Sequence, residues 1–220
     1  MRIDLKQIKV YLVSPANGKY RDRVTIVFNR LIDAGFHNIE FIRSQSALNN
    51  VSSLTNACLT IFKKELTGTE PFMIIEDDCA IMKNYDTIDI PDDYDTIYLG
   101  VSKWVYPYEI ETIPVDVRPP IEHNSLKTIQ SYNELFTKIH GMCSTHAILY
   151  RSRNYLKTFL DIVEWATSIS NNLNHDLIFA TIQKHFQVFA FKHPMFYQDS
   201  SIGGQEEPTR ITYHENDCYY

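Results

Sequence analysis

The first 78 residues switch back and forth between two hydrophobic periods, and that alternation limits the fold more than any other feature of the chain. Residues 8–14 (Ile-Lys-Val-Tyr-Leu-Val-Ser) form an apolar, β-branched run that stops at Pro15, which predicts a buried first strand. Residues 15–18 (Pro-Ala-Asn-Gly) read as a turn. Over residues 21–34, Val24, Val27, Phe28, Leu31 and Ile32 recur at helical spacing, with Gly35 as the stop. Residues 38–42 are a second short strand. Residues 46–66 are a long helix with Leu54, Cys58, Leu59, Ile61, Phe62 and Leu66 on its apolar side. Residues 71–75 are a third strand, running directly into Glu76, Asp77 and Asp78. The order β-α-β-α-β implies a parallel sheet with helices on both faces, and right-handed crossovers bring the strand ends to one edge, where a ligand binds. No Gly-x-Gly-x-x-Gly follows the first strand and no Gly-Lys-Ser/Thr loop occurs in a chain with 7 glycines. The dinucleotide-dehydrogenase and P-loop readings are thereby removed.

Past residue 80 the pattern loosens. Residues 95–101 predict a strand, and residues 102–141, with prolines at 107, 114, 119 and 120, predict an irregular stretch of binding-loop length. Residues 144–150 predict another strand, residues 154–167 and 174–185 two helices, and residues 188–191 a last strand. The final thirty residues, with Gly203, Gly204 and Pro208, read as a loop or tail. The expectation is one mixed α/β domain over residues 1–220. Its first half, to residue 100, would hold a nucleotide, and its second half an acceptor.

A formal charge of −6 argues against a sequence-independent grip on nucleic acid, which needs a basic stripe. No apolar run approaches the roughly 18 residues that span a bilayer, and the charged N-terminus has no signal-peptide core. Cys58, Cys79, Cys143 and Cys218 are widely spaced, without a Cys-x-x-Cys pair, which suggests neither a zinc knuckle nor a disulfide framework. A reducing cytoplasm is the simplest compartment.

Three adjacent carboxylates at the end of a strand that reads as buried are costly unless something positive binds there. Strand alternation would put Glu76 and Asp78 on one side and Asp77 on the other. Hard oxygen ligands of this kind suit Mg²⁺ or Mn²⁺ with substrate phosphates, although Asp is also common in plain turns and helix caps. A β-α-β-α-β unit ending in apolar-apolar-Glu-Asp-Asp resembles the GT-A glycosyltransferases, whose Asp-x-Asp motif binds a metal and the diphosphate of a nucleotide sugar. Here Glu stands in the first position. The chain looks closest to the small glycosyltransferase domains encoded by large DNA viruses of algae. The likeness runs through the first strand, the Glu-Asp-Asp strand, residues 141–150 and residues 193–200.

The resemblance implies Asp78 as the metal ligand, with Asp77 or Glu76 on the ribose or a water. It implies His193 and Asp199 as candidates to close the metal shell, the metal being Mn²⁺ or Mg²⁺. Ser14 and Pro15, at the end of the first strand, would bracket base and ribose. Lys19, Arg21 and Arg23 follow where they would reach phosphates, although a solvated first helical turn accounts for them equally. Ser44 and Gln45 suit a base edge, and Ser44 also suits a helix cap. The family often supplies its general base from an Asp or Glu near the helix at residue 174, which points to Asp176. Asp in a first helical turn also simply complements the helix dipole. Trp104 and Tyr106 offer faces for a sugar ring, and Gly141 resembles the family's acceptor-side turn. Together these imply a metal-dependent, inverting transfer of a hexose or deoxyhexose from a UDP-sugar to a hydroxyl of a glycan or glycoprotein. A sugar-1-phosphate nucleotidyltransferase and a non-catalytic glycan-binding domain are the alternatives. The former normally carries a Gly-rich basic loop after its first strand, and here that loop has only Gly18.

Overall fold

A computed structural model describes residues 1–15, 20–44, 50–101, 128–143, 145–169 and 175–204. Twelve strands occur there: β1 (Arg2–Asp4), β2 (Lys9–Ser14), β3 (Ile39–Arg43), β4 (Phe72–Glu76), β5 (Cys79–Ile81), β6 (Thr87–Asp89), β7 (Thr96–Tyr98), β8 (Thr128–Ser131), β9 (Phe136–His140), β10 (Ala147–Tyr150), β11 (Val188–Phe191) and β12 (Phe196–Gln198). The helices are α1 (Arg21–Asp33), α2 (Asn50–Glu65), α3 (Arg153–Ile169) and α4 (His175–Ile182).

Eight strands form one sheet in the order β3-β2-β4-β10-β7-β11-β9-β8. β2 is parallel to β3 and β4, and β7 is parallel to β11; β10 runs against both its neighbours, and so does β9. Six of the eight strands therefore share one direction. The protein is a mixed, mainly parallel α/β sheet flanked by helices. The parallel strands β2, β3 and β4 end side by side at Ser14, Arg43 and Glu76. Antiparallel β10 begins beside them, with Ala147 opposite Ile75.

Alternation along the buried strands feeds two cores. Tyr11, Val13, Phe72, Ile74, Ile148 and Tyr150 face α2, α3 and α4, whereas Val10, Leu12, Met73, Ile75 and Leu149 face α1 and the short ribbons β5–β12 and β1–β6. Rings bolt the first core together. Phe159 of α3 stacks on Phe179 of α4 at 4.0 Å, and Phe62 of α2 meets both edge-on. That cluster sets where the first turn of α4, and so Asp176, sits over the sheet. On the other face α1 stops as its sequence predicts. Gly35, at φ +92°, donates to the Ile32 carbonyl, and Phe36 donates to that of Leu31 and buries its ring.

Two expectations are corrected. Residues 102–141 are not irregular throughout, because β8 and β9 form an antiparallel hairpin at the sheet edge. Asn133 closes it by accepting from the Leu135 and Phe136 amides. The proline-rich stretch upstream hid the short alternation, and residues 102–127 lie outside the described residues. The last thirty residues are not only tail: β12 pairs antiparallel with β5, and a 3-10 turn follows over Ser200–Ile202. Three-residue strands fall below the length at which a period can be recognised.

Phe179→Ala is expected to cost about 3–5 kcal/mol in a urea unfolding experiment, the usual range for emptying a ring-packed core. A cost under about 1 kcal/mol would show that the ring cluster is not what seats α4.

Candidate functional site

The polypeptide leaves β4 at Glu76 and turns through Asp77 and Asp78 into β5. The turn breaks the strand alternation, so the three carboxylates diverge instead of placing Glu76 and Asp78 on one side. Asp77 points to the end of the neighbouring strand, where Ser14 Oγ donates to its Oδ2 at 2.6 Å. Asp78 turns toward α1 and the β5–β12 ribbon. Its Oδ2 accepts from Arg23 Nη2 at 3.1 Å and from Gln198 Nε2 at 3.3 Å. Its carbonyl accepts from the Asp199 amide at 2.7 Å, which ties the turn to β12. Glu76 stays on the α2–α4 face. Thr145 Oγ1 lies 2.9 Å from Glu76 Oε1 and 2.9 Å from Asp176 Oδ1 in the first turn of α4.

Neighbouring backbone holds this tip. The Glu76 amide donates to the His146 carbonyl at 2.8 Å. The buried His146 ring packs over Gly100, where an added Cβ would stand 2.0 Å from its Nε2. Buried Gln183 accepts from the Met142 amide at 2.9 Å and donates to the Met142 carbonyl at 2.7 Å, fixing the segment that leads to Thr145. Gly141, at φ +83°, turns the chain out of β9 just before it.

The electrostatics follow from crowding. Burial pushes the Glu76 carboxyl well up, and Asp78 and Asp176 add to it. Burial also raises Asp77, against the hydrogen bond from Ser14. Asp78 is pushed up to about 6 by burial, which Arg23 only partly offsets. Asp199 behaves differently. Burial pushes it up, but hydrogen bonds from Ser201 and Arg30 outweigh that, and its carboxyl ends below the usual range.

The structure gathers Glu76, Asp77, Asp78, Ser14, Asp176 and Arg23 of the residues singled out in the sequence. It does not bring in the others. Both Asp199 oxygens are engaged, Oδ1 by the Ser201 amide at 2.9 Å and Oδ2 by Arg30 at 2.8 Å, so this residue caps a turn and pins α1. His193 is exposed at the opposite end of the β5–β12 ribbon, where its carbonyl accepts from Tyr85. Ser44 is buried and bonds the Ser14 carbonyl and Ser53, which makes it a brace between β2 and α2. Pro15 is buried, and Arg21 is exposed on the first turn of α1. Gly141 is buried in a left-handed turn. Lys19, Gln45, Trp104 and Tyr106 lie outside the described residues. Sequence reasoning missed Thr145, Arg30 and Gln183. Arg30 carried a signal, since it follows Arg23 by seven residues and so shares its helix face.

Among the described residues no three His, Cys, Asp or Glu side chains converge into a metal cage. The acids nevertheless suit a cation that arrives with phosphates and takes only one or two carboxylates from the protein. Asp78 Oδ1 is buried and accepts no hydrogen bond, and Glu76, Asp77 and Asp176 crowd the same tip. Asp78 fits such an ion; Asp199 and His193 do not. Cys58, Cys79 and Cys143 are buried. No helix among the described residues is long and apolar enough to cross a membrane.

No family model matches the chain, and no curated protein does. Among solved structures, a nucleoside-diphosphate-sugar pyrophosphorylase from Vibrio cholerae RC9 is similar at 12% identity and a TM-score of 0.41, over 83% of this chain and 72% of that one. A glycosyltransferase involved in the glycosylation of the major capsid of PBCV-1 is similar at 7% identity and a TM-score of 0.44, over 95% of this chain and 99% of that one. At these scores the chemistry of the site is read from this chain's own side chains.

Because Asp78 is raised in the fold, its contribution to stability is complete below the unfolded value near 4 and is lost as pH rises through about 6. Glu76 and Asp77 act in the same direction. In chelator-treated protein the thermal midpoint should therefore fall across that window, and Asp78→Asn should flatten the fall. Equal slopes for wild type and variant would remove Asp78 as the group responsible.

Proposed function

We propose that the chain is a glycosyltransferase of the GT-A type, moving a hexose or deoxyhexose from a UDP-sugar to a hydroxyl of a glycan. The observation that carries this reading is the acid tip itself. Buried carboxylates stand at the ends of parallel strands, where α/β sheets bind ligands, and one Asp78 oxygen lacks a partner. The nucleotide would lie over the ends of β2 and β4, with Asp77, held by Ser14, toward the ribose. Mn²⁺ or Mg²⁺ held by Asp78 would supply neutralisation of the charge that grows on the leaving diphosphate. Arg23 sits on the first turn of α1, whose N-terminal dipole also favours an anion.

Asp176 is the proposed general base, taking the acceptor hydroxyl proton as the oxygen attacks the anomeric carbon and inverts it. Thr145 has one proton and two carboxyl neighbours. Glu76, which its surroundings favour in the protonated form, can donate to the Thr145 oxygen and so commit the Thr145 proton to Asp176. That chain would hold the Asp176 carboxylate in one orientation.

With MnCl₂ and a panel of UDP-glucose, UDP-galactose and UDP-rhamnose, slow hydrolysis of at least one donor is expected. Asp78→Ala should lower that turnover by about 100- to 1,000-fold with an unchanged circular dichroism spectrum. Full turnover in the variant would end the assignment of Asp78, and no hydrolysis of any donor would favour a binding module.

A further inference from the structure

The Arg23–Asp78 pair is incomplete on both sides. Arg23 Nη2 reaches Asp78 Oδ2 at 3.1 Å, and both side chains are largely buried. Yet Asp78 Oδ1 and Arg23 Nε are each buried without a hydrogen-bond partner. A buried ion pair repays its desolvation only when its remaining donors and acceptors are satisfied, and this one leaves one of each. The guanidinium is also confined. It lies over the Tyr20 ring at 4.9 Å, and an added Cβ at Gly203 would stand 3.8 Å from its Cζ and Nη2.

We infer that Arg23 is a built-in counter-ion that competes with a divalent cation for Asp78, so that the site takes the metal and the nucleotide diphosphate together. The inference rests on the function proposed above. A cation alone would satisfy Asp78 but strand a buried guanidinium. A diphosphate alone would satisfy Arg23 but strand a buried carboxylate. Only both ligands at once give every charge a partner, including the buried Asp78 Oδ1 and Arg23 Nε atoms that have none within the protein. Each ligand then raises the affinity of the other by the same factor.

Direct contact between metal and phosphate would also couple the two ligands, so the deciding measurement uses MnCl₂ without nucleotide. Free Mn²⁺ is counted by electron paramagnetic resonance in titrations of the full chain, with thermal melts to check folding. Arg23→Gln removes the competitor and should bind Mn²⁺ at least about tenfold more tightly than wild type, the scale of one charged hydrogen bond. Arg23→Lys keeps the charge and should stay within about threefold of wild type. Asp78→Asn in the Arg23→Gln background should abolish the gain. Equal or weaker Mn²⁺ binding by Arg23→Gln, or none by either protein, overturns the inference. UDP binding is measured calorimetrically alongside. If wild type does not bind UDP with or without Mn²⁺, the proposed function falls, while the Mn²⁺ comparison still decides the role of Arg23.

Discussion

Everything at the working edge of this protein follows from the cost of holding carboxylates where water is scarce. Glu76, Asp77 and Asp78 follow four buried residues of β4, and each is placed against a different answer to its charge. Asp77 takes a hydroxyl from β2, Asp78 takes a guanidinium from α1, and Glu76 shares a hydroxyl with Asp176. The divergence arises at one point, the turn between β4 and β5. A continued strand would have paired Glu76 with Asp78 on one face and left both against the same neighbours.

The same principle separates acids that are finished from acids that are not. Asp199 has two partners for two oxygens, and its carboxyl ends below the usual range. Asp78 has two partners on one oxygen and none on the other, and its carboxyl ends above that range. Two aspartates of similar burial therefore have opposite characters, one a structural clasp with both oxygens engaged and the other with one oxygen left open.

Much of the architecture was legible in the residues. The runs ending at Ser14 and Glu76 are nearly continuous apolar strands, and Val24, Val27 and Leu31 trace one helical face. The Glu-Asp-Asp triplet stands out because nothing in a buried strand explains it. The hairpin β8–β9 and the ribbon β5–β12 were hidden, because strands of three to five residues beside prolines and turns carry too few repeats of a period. The site was half legible for a related reason. Sequence order shows which acids share a turn, but partners such as Thr145, Arg30 and Gln198 lie 31 to 169 residues from the acids they bond. Asp199 and His193 sat close together in the sequence and looked equivalent. A cap and an exposed ribbon end distinguish them, and neither has a signature in residue type.

The order of strands in the sheet also bears on how the chain comes together. β7 lies between β10 and β11, both of which belong to the last third of the polypeptide. As the chain emerges from the ribosome, β2, β3 and β4 can associate early, but β7 must wait with both hydrogen-bonding edges open until residues near 150 and 190 have been made. Such late, long-range closures slow folding and leave apolar strand edges available to other chains meanwhile. β10, which fills the gap between β7 and β4, also runs beside the strand that ends in Glu76, so the acids at that tip gain their last neighbours only after the second half of the protein has been threaded into the first.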